Sequence, residues 1–218
     1  AKRRSEMRLA RWTAKQAVAR ALDLEADAGT LARIEIRAAS TGAPAAFVGD
    51  ERAPIAVSLS DRADWAVCVV APADLGVGCD LEIVEPRTDR FVRDWFTPAE
   101  RDLVFGADPG EERHLLANLV WSAKESALKV LQTGLRRDTR SVEVDVVDVE
   151  GHRHWARLVV RTEEGAAFPG WWRRYGDFVL TFAADLAEDD DRGPPHTLEE
   201  PPRLAGATPS HSWLSDPT

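Results

Sequence analysis

The sequence predicts an α+β fold arranged as a pseudo-dimer of two similar lobes, and two observations carry that prediction. The segments run helix, strands, helices, strands, rather than alternating one strand with one helix. The order of helix followed by strands also occurs twice, with a break across Pro72 to Gly76. The lobes are expected at residues 1–74 and 75–187, and residues 188–218 read as an acidic, Pro-rich, disordered tail that has little to bury.

Each element has its own reason. Arg4 to Leu22 is rich in Ala, Leu and long basic residues without Gly or Pro, which predicts a helix. Ala32 to Ala38 alternates apolar and charged residues, as a half-buried strand does. Pro54 to Leu59 and Trp65 to Val70 are two strands joined by the polar stretch Ser60–Asp64, a hairpin. Val77 to Val84 is a further strand. Thr97-Pro98 with Glu100 three residues on is a capping box that opens a short helix. Glu111 to Gln132 is a long helix closed by Gly134. Strands follow at Ser141 to Val149, Trp155 to Arg161 and Asp177 to Ala184.

The 218 residues are 44% hydrophobic, enough for a sizeable core, and no apolar run is long enough to span a membrane. The start lacks the apolar stretch of a signal peptide, and Cys68 and Cys79 have no metal or redox spacing, so a cytoplasmic protein with buried free thiols is expected. The net charge of -9 disfavours nucleic-acid binding. Against that trend, residues 1–20 hold seven bases and one acid, either a solvated helix face or an anion site.

Two clusters carry chemistry. In Gly78-Cys79-Asp80-Leu81-Glu82, strand periodicity puts Asp80 and Glu82 on one face. That is either a solvated polar face or a pair of oxygen ligands for a hard cation such as Mg2+. In Trp121-Ser122-Ala123-Lys124-Glu125-Ser126-Ala127-Leu128-Lys129, Glu125 shares a helical stripe with Trp121 and Leu128. A carboxylate there needs a partner. Lys129, four residues on, is one candidate and a metal ion is the other.

Taken together, Gly-x-Asp-x-Glu followed some forty residues later by Trp-Ser-x-Lys-Glu-Ser-x-x-Lys resembles the signature of the 4'-phosphopantetheinyl transferase superfamily. The duplicated lobe resembles its surfactin-synthetase type, whose members are mostly monomeric and serve secondary metabolism. The resemblance implies transfer of the phosphopantetheine arm of coenzyme A to a serine of an acyl or peptidyl carrier protein, with release of 3',5'-ADP. It implies Asp80, Glu82 and Glu125 as Mg2+ ligands, and Lys124 and Lys129 near the phosphates. It further implies Glu125 as the base, with Glu100 as an alternative. It places Arg11, Lys15 and Ser60 at coenzyme A-binding positions, and the carrier is expected to dock near Phe91 to Phe105, where Trp95, Phe96, Leu103 and Phe105 either cover its helix or pack in the core.

The first lobe departs from that pattern. Gly42-Ala43-Pro44 stands where the family has Gly-Lys-Pro, and Ser58-Leu59-Ser60-Asp61 stands where it has Ser-x-Ser-His. The family usually has a strand before its first helix, whereas this sequence opens almost at the helix, either because it is truncated or because it lacks that strand. An aspartate near a phosphate dianion is repulsive, so a non-catalytic homologue that binds coenzyme A or the carrier is the alternative reading. A metal-dependent nuclease fits less well, because Glu125 and Lys129 lie on a helix rather than in a strand Glu-x-Lys.

Overall fold

The computed structural model describes residues 2–148, 154–190, 192–198 and 204–212, with side chains from residue 6 onward. The basic side chains of Lys2, Arg3 and Arg4 and the expected strand end at Val149 lie outside these. The architecture is α+β. In chain order the main elements are α1 (Lys2–Ala21), α2 (Ala28–Arg33), β1 (Ile34–Ala38), β2 (Pro44–Val48), β3 (Glu51–Arg52), β4 (Ile55–Arg62), β5 (Trp65–Pro72) and β6 (Val77–Ile83). They continue with α3 (Asp89–Trp95), α4 (Pro98–Gly106), α5 (Glu111–Val130), β7 (Val142–Val146), β8 (Ala156–Thr162), β9 (Ala167–Tyr175) and β10 (Phe178–Ala184).

Three antiparallel sheets result, in the orders β1-β2-β3, β4-β5 and β6-β10-β9-β8-β7. In the first half Val18 and Ala19 of α1 pack on Ile34, Ala46 and Val57 of the small sheets. In the second half α5 buries Leu116, Leu119, Val120 and Leu128 against the five-stranded sheet, where Val142, Leu158 and Val179 meet it. The halves meet along β4 and β6. There the backbone N–H groups of Cys79 and Leu81 donate to the hydroxyls of Ser58 and Ser60, both at 3.1 Å. The side chains of β4 thus replace a backbone ladder along one edge of β6.

The expected hairpin is β4-β5, and Thr97 with Glu100 forms the expected capping box on α4. Strands β2, β3 and β9 and helices α2 and α3 were not expected. In β9 the pair Pro169-Gly170 reads as a breaker, yet the strand is internal to its sheet. Gly170 is required there, because a Cβ would stand 2.5 Å from the carbonyl oxygen of Phe182.

The segment read as a disordered tail contains an ordered piece. Leu204–Gly206 forms a 3-10 turn, and Leu204 is buried among Ala63, Leu81, Ile83, Tyr175 and Phe178. One leucine in an acidic stretch is too weak a compositional signal to reveal such an anchor.

Candidate functional site

The site begins with a close backbone approach. A Cβ on Gly78 would lie 1.9 Å from the carbonyl oxygen of Ser126, so only glycine lets β6 press directly onto α5. Hydroxyls then fix the register. Ser122 and Ser126 of α5 both bond the Thr181 hydroxyl of β10, at 2.8 and 2.7 Å, and Ser122 also donates to the carbonyl of Asp80. The result sets the carboxylates of β6 beside Glu125 and Lys129.

Asp80 and Glu82 are buried rather than solvated. Asp80 Oδ1 accepts from the Ser60 hydroxyl and from Lys129 Nζ, each at 2.8 Å. Asp80 Oδ2 is buried without a hydrogen-bond partner, and so is Glu125 Oε1. Burial, then the charge of Asp80 and more weakly that of Glu82, push the Glu125 carboxyl up to about 7, against the opposing pull of Lys129. Two orphaned carboxylate oxygens on neighbouring like-charged groups suit a hard cation placed at them. Lys129 also donates to the carbonyl of Cys79 at 2.8 Å, so two of its three donors are committed.

Glu82 is held differently. Oε1 accepts from the Trp121 indole at 3.1 Å, and Oε2 faces Arg87 Nη2 at 3.2 Å and Arg62 Nε at 3.3 Å. Burial and the Asp80 charge push its carboxyl up, while the two guanidiniums and the indole hold it down. Asn118 braces Arg87 at 2.7 Å. Arg87 and Asn118 were not singled out from sequence, and Arg62 was expected to offset Asp61 rather than to face Glu82; no spacing rule links the three to Glu82, and only the fold brings them together.

Two expectations need correction. Lys124 is wholly buried, and its ammonium is taken up by Glu100 Oε2 at 2.8 Å and by the carbonyls of Thr139 and Val142. All three of its donors are used, so it has none for a phosphate. Glu100 cannot serve as the base either. Beyond Lys124 it accepts from the backbone N–H of Thr97 at 2.7 Å and of Val144 at 2.8 Å.

Lys129 opens onto a cavity of about 1170 Å³ between the halves. Its lining gathers residues that sequence singled out separately: Arg11, Gly42-Ala43-Pro44, Ser58 and Asp61. Arg37, Arg52 and Arg136 add positive charge that sequence did not point to. Two expected cavity residues face elsewhere. Lys15 donates to the carbonyl of Leu31 at 2.8 Å, and the Ser60 hydroxyl is spent on Asp80. Burial, with the charges of Glu6 and Asp80, pushes the Asp61 carboxyl up against Lys129 and Arg62. Of the expected docking residues, Trp95 is exposed, but Phe96 is fully buried in the core.

Residues 76–183 match the model of the 4'-phosphopantetheinyl transferase superfamily. The match takes in β6 and α5 with both signature clusters, and it ends within β10. The cavity's other wall, from α1 to β4, lies before the matched residues. No curated protein matches the chain. Among the described residues no helix is long and apolar enough to cross a membrane.

Proposed function

We propose that the chain is a Mg2+-dependent 4'-phosphopantetheinyl transferase of the two-lobed type, moving the phosphopantetheine arm of coenzyme A to a carrier-protein serine. The observation that carries this reading is the Asp80–Lys129–Glu125 cluster. It lies inside the matched residues, and Lys129 opens onto a cavity with several cationic side chains.

The chemistry needs positioning and charge neutralisation more than covalent participation. The serine oxygen attacks the β-phosphorus and a new P–O bond forms. The bond to 3',5'-ADP breaks, and that leaving group carries its charge away. The carboxylates around Asp80 would hold Mg2+, which supplies Lewis-acid stabilisation of the phosphate oxygens. Lys129, pinned by Asp80 and Cys79, offers its remaining donor to the same anion. Glu125 accepts the serine proton through an ordered water, because a carboxylate that also holds a cation stays ionised and is too weak a base for direct abstraction. Arg11, together with Arg37, Arg52 and Arg136 on the cavity wall, is the source of charge for the remaining phosphates of coenzyme A. The free, buried or half-buried Cys68 and Cys79 fit a protein that works in the reducing cytoplasm.

The test is incubation with coenzyme A and apo-carrier protein, with Mg2+ or with EDTA, read as the mass gain of the carrier. Modification that requires Mg2+ supports the reading. Binding of coenzyme A without any modification of acyl or peptidyl carriers favours a non-catalytic homologue, the reading that Asp61 and Ala43 motivate.

A further inference from the structure

We infer, on the basis of the Mg2+-dependent reading above, that only Asp80 and Glu125 contact the cation, and that Glu82 is a positioning residue outside the coordination shell. The three carboxylates look equivalent in sequence, but the structure treats them unequally. Glu82 has both oxygens engaged, one by the Trp121 indole and the other by Arg62 and Arg87. Its charge is met locally: Arg62 bridges Glu82 and Glu85, and Arg87 also faces Glu82. A cation placed against Glu82 would have to displace a guanidinium or bear its repulsion.

The other two carboxylates form an unbalanced set. Asp80 and Glu125 share the single positive charge of Lys129. The Asp80 side chain is 9% exposed, with its Oδ2 unpaired, and Glu125 Oε1 is unpaired as well. The missing positive charge and the missing oxygen partners therefore fall in the same place. A cation such as Mg2+ that keeps several waters and takes substrate oxygens needs no more than one or two carboxylates.

What Glu82 does is hold a scaffold. Arg87 lies over the Phe91 ring at 4.9 Å, and Phe91 meets Trp121 edge to face at 5.1 Å. Trp121 is one helical turn before Glu125. Glu82 thereby sets the position of the α5 face that carries Glu125.

The experiment is Mn2+ binding by the full chain in the presence of coenzyme A, read from the loss of the free-ion paramagnetic resonance signal. Asp80→Asn and Glu125→Gln are each expected to weaken Mn2+ by about 30-fold or more, since each removes a charged oxygen ligand. The charge-balanced double variant Glu82→Gln/Arg62→Gln is expected to shift it by less than about threefold, because the local field is nearly preserved. A folded Glu82→Gln/Arg62→Gln protein that loses as much Mn2+ affinity as Asp80→Asn overturns the inference. If that variant does not fold, Asp80→Asn/Glu125→Gln decides with Glu82 intact. Mn2+ binding that persists there makes Glu82 a ligand, and its complete loss supports the assignment. A wild-type chain that transfers phosphopantetheine with EDTA present, or binds no Mn2+, refutes the metal-dependent reading itself.

Discussion

Helix α5 carries two lysines five residues apart, and each meets a buried carboxylate, but the two pairs are built to opposite specifications. Lys124 and Glu100 are sealed together: each donor of the ammonium is used, and both carboxylate oxygens accept from backbone N–H groups. Lys129 and Asp80 are left incomplete, with one carboxylate oxygen buried and unpaired and with Glu125 crowded against them. A saturated buried ion pair can only hold the fold. An unsaturated one costs stability, and that cost marks a place prepared for something the chain does not itself contain.

The largest effect should come from breaking the saturated pair. Lys124→Met leaves a buried carboxylate unpaired and is expected to cost on the order of 4 kcal/mol of stability. The urea midpoint should fall accordingly, with the transfer rate per folded molecule about unchanged. Pairing it with Glu100→Gln should restore part of the loss. If Lys124→Met instead abolished transfer while sparing stability, the two pairs would have to exchange roles.

The unsaturated pair should respond with the opposite sign. Glu125 has a folded-state pKa near 7, above its ordinary 4.5. The folded state therefore holds a proton that the unfolded chain has released, and stability declines as pH rises from about 4.5 to about 7. Removing that charge with Glu125→Gln is expected to stabilise the metal-free protein at pH 8 by on the order of 2 kcal/mol and to change little at pH 4.5. Denaturant melts in EDTA at the two pH values check this. A variant less stable than wild type at pH 8 would mean that Glu125 is already paired.

The smallest effect concerns the far wall of the cavity. Asp61 stands beside Glu6 and Asp80, where a bound 3'-phosphate would meet like charge. Asp61→His is expected to lower KM for coenzyme A by about fivefold and leave KM for dephospho-coenzyme A nearly unchanged, because the group is remote from the reacting phosphorus. Steady-state kinetics with both substrates measure it. Equal effects on the two would place the 3'-phosphate elsewhere.

Much of this contrast was out of reach of the sequence. The period-two strand put Asp80 and Glu82 on one face, the family resemblance joined Glu125 to them, and Thr97 with Glu100 announced the cap on α4. The same periodicity could not tell Lys124 from Lys129. What separates them is the rest of the fold: Lys124 points at the 3-10 turn before β7, and Lys129 points at β6. Glu100 looked like a candidate base because the sequence shows its cap but not the Val144 amide and Lys124 that complete its shell. The strand β9 was hidden for a related reason. Pro169 and Gly170 are local signals of a turn, overruled by the close approach of Phe182 that only a glycine permits.

The seam between β4 and β6 has a further consequence. Strand β6 ends its sheet, and an open sheet margin exposes amides on which a foreign chain can grow. Here the outward amides of Cys79 and Leu81 are already occupied by two serine hydroxyls. Glycine at position 78, which the close packing of β6 on α5 requires, would otherwise weaken this margin further. Ser58 and Ser60 therefore guard the molecule against self-association at the strand that carries its most charge-frustrated residues, and they do so without committing the two halves to one continuous sheet.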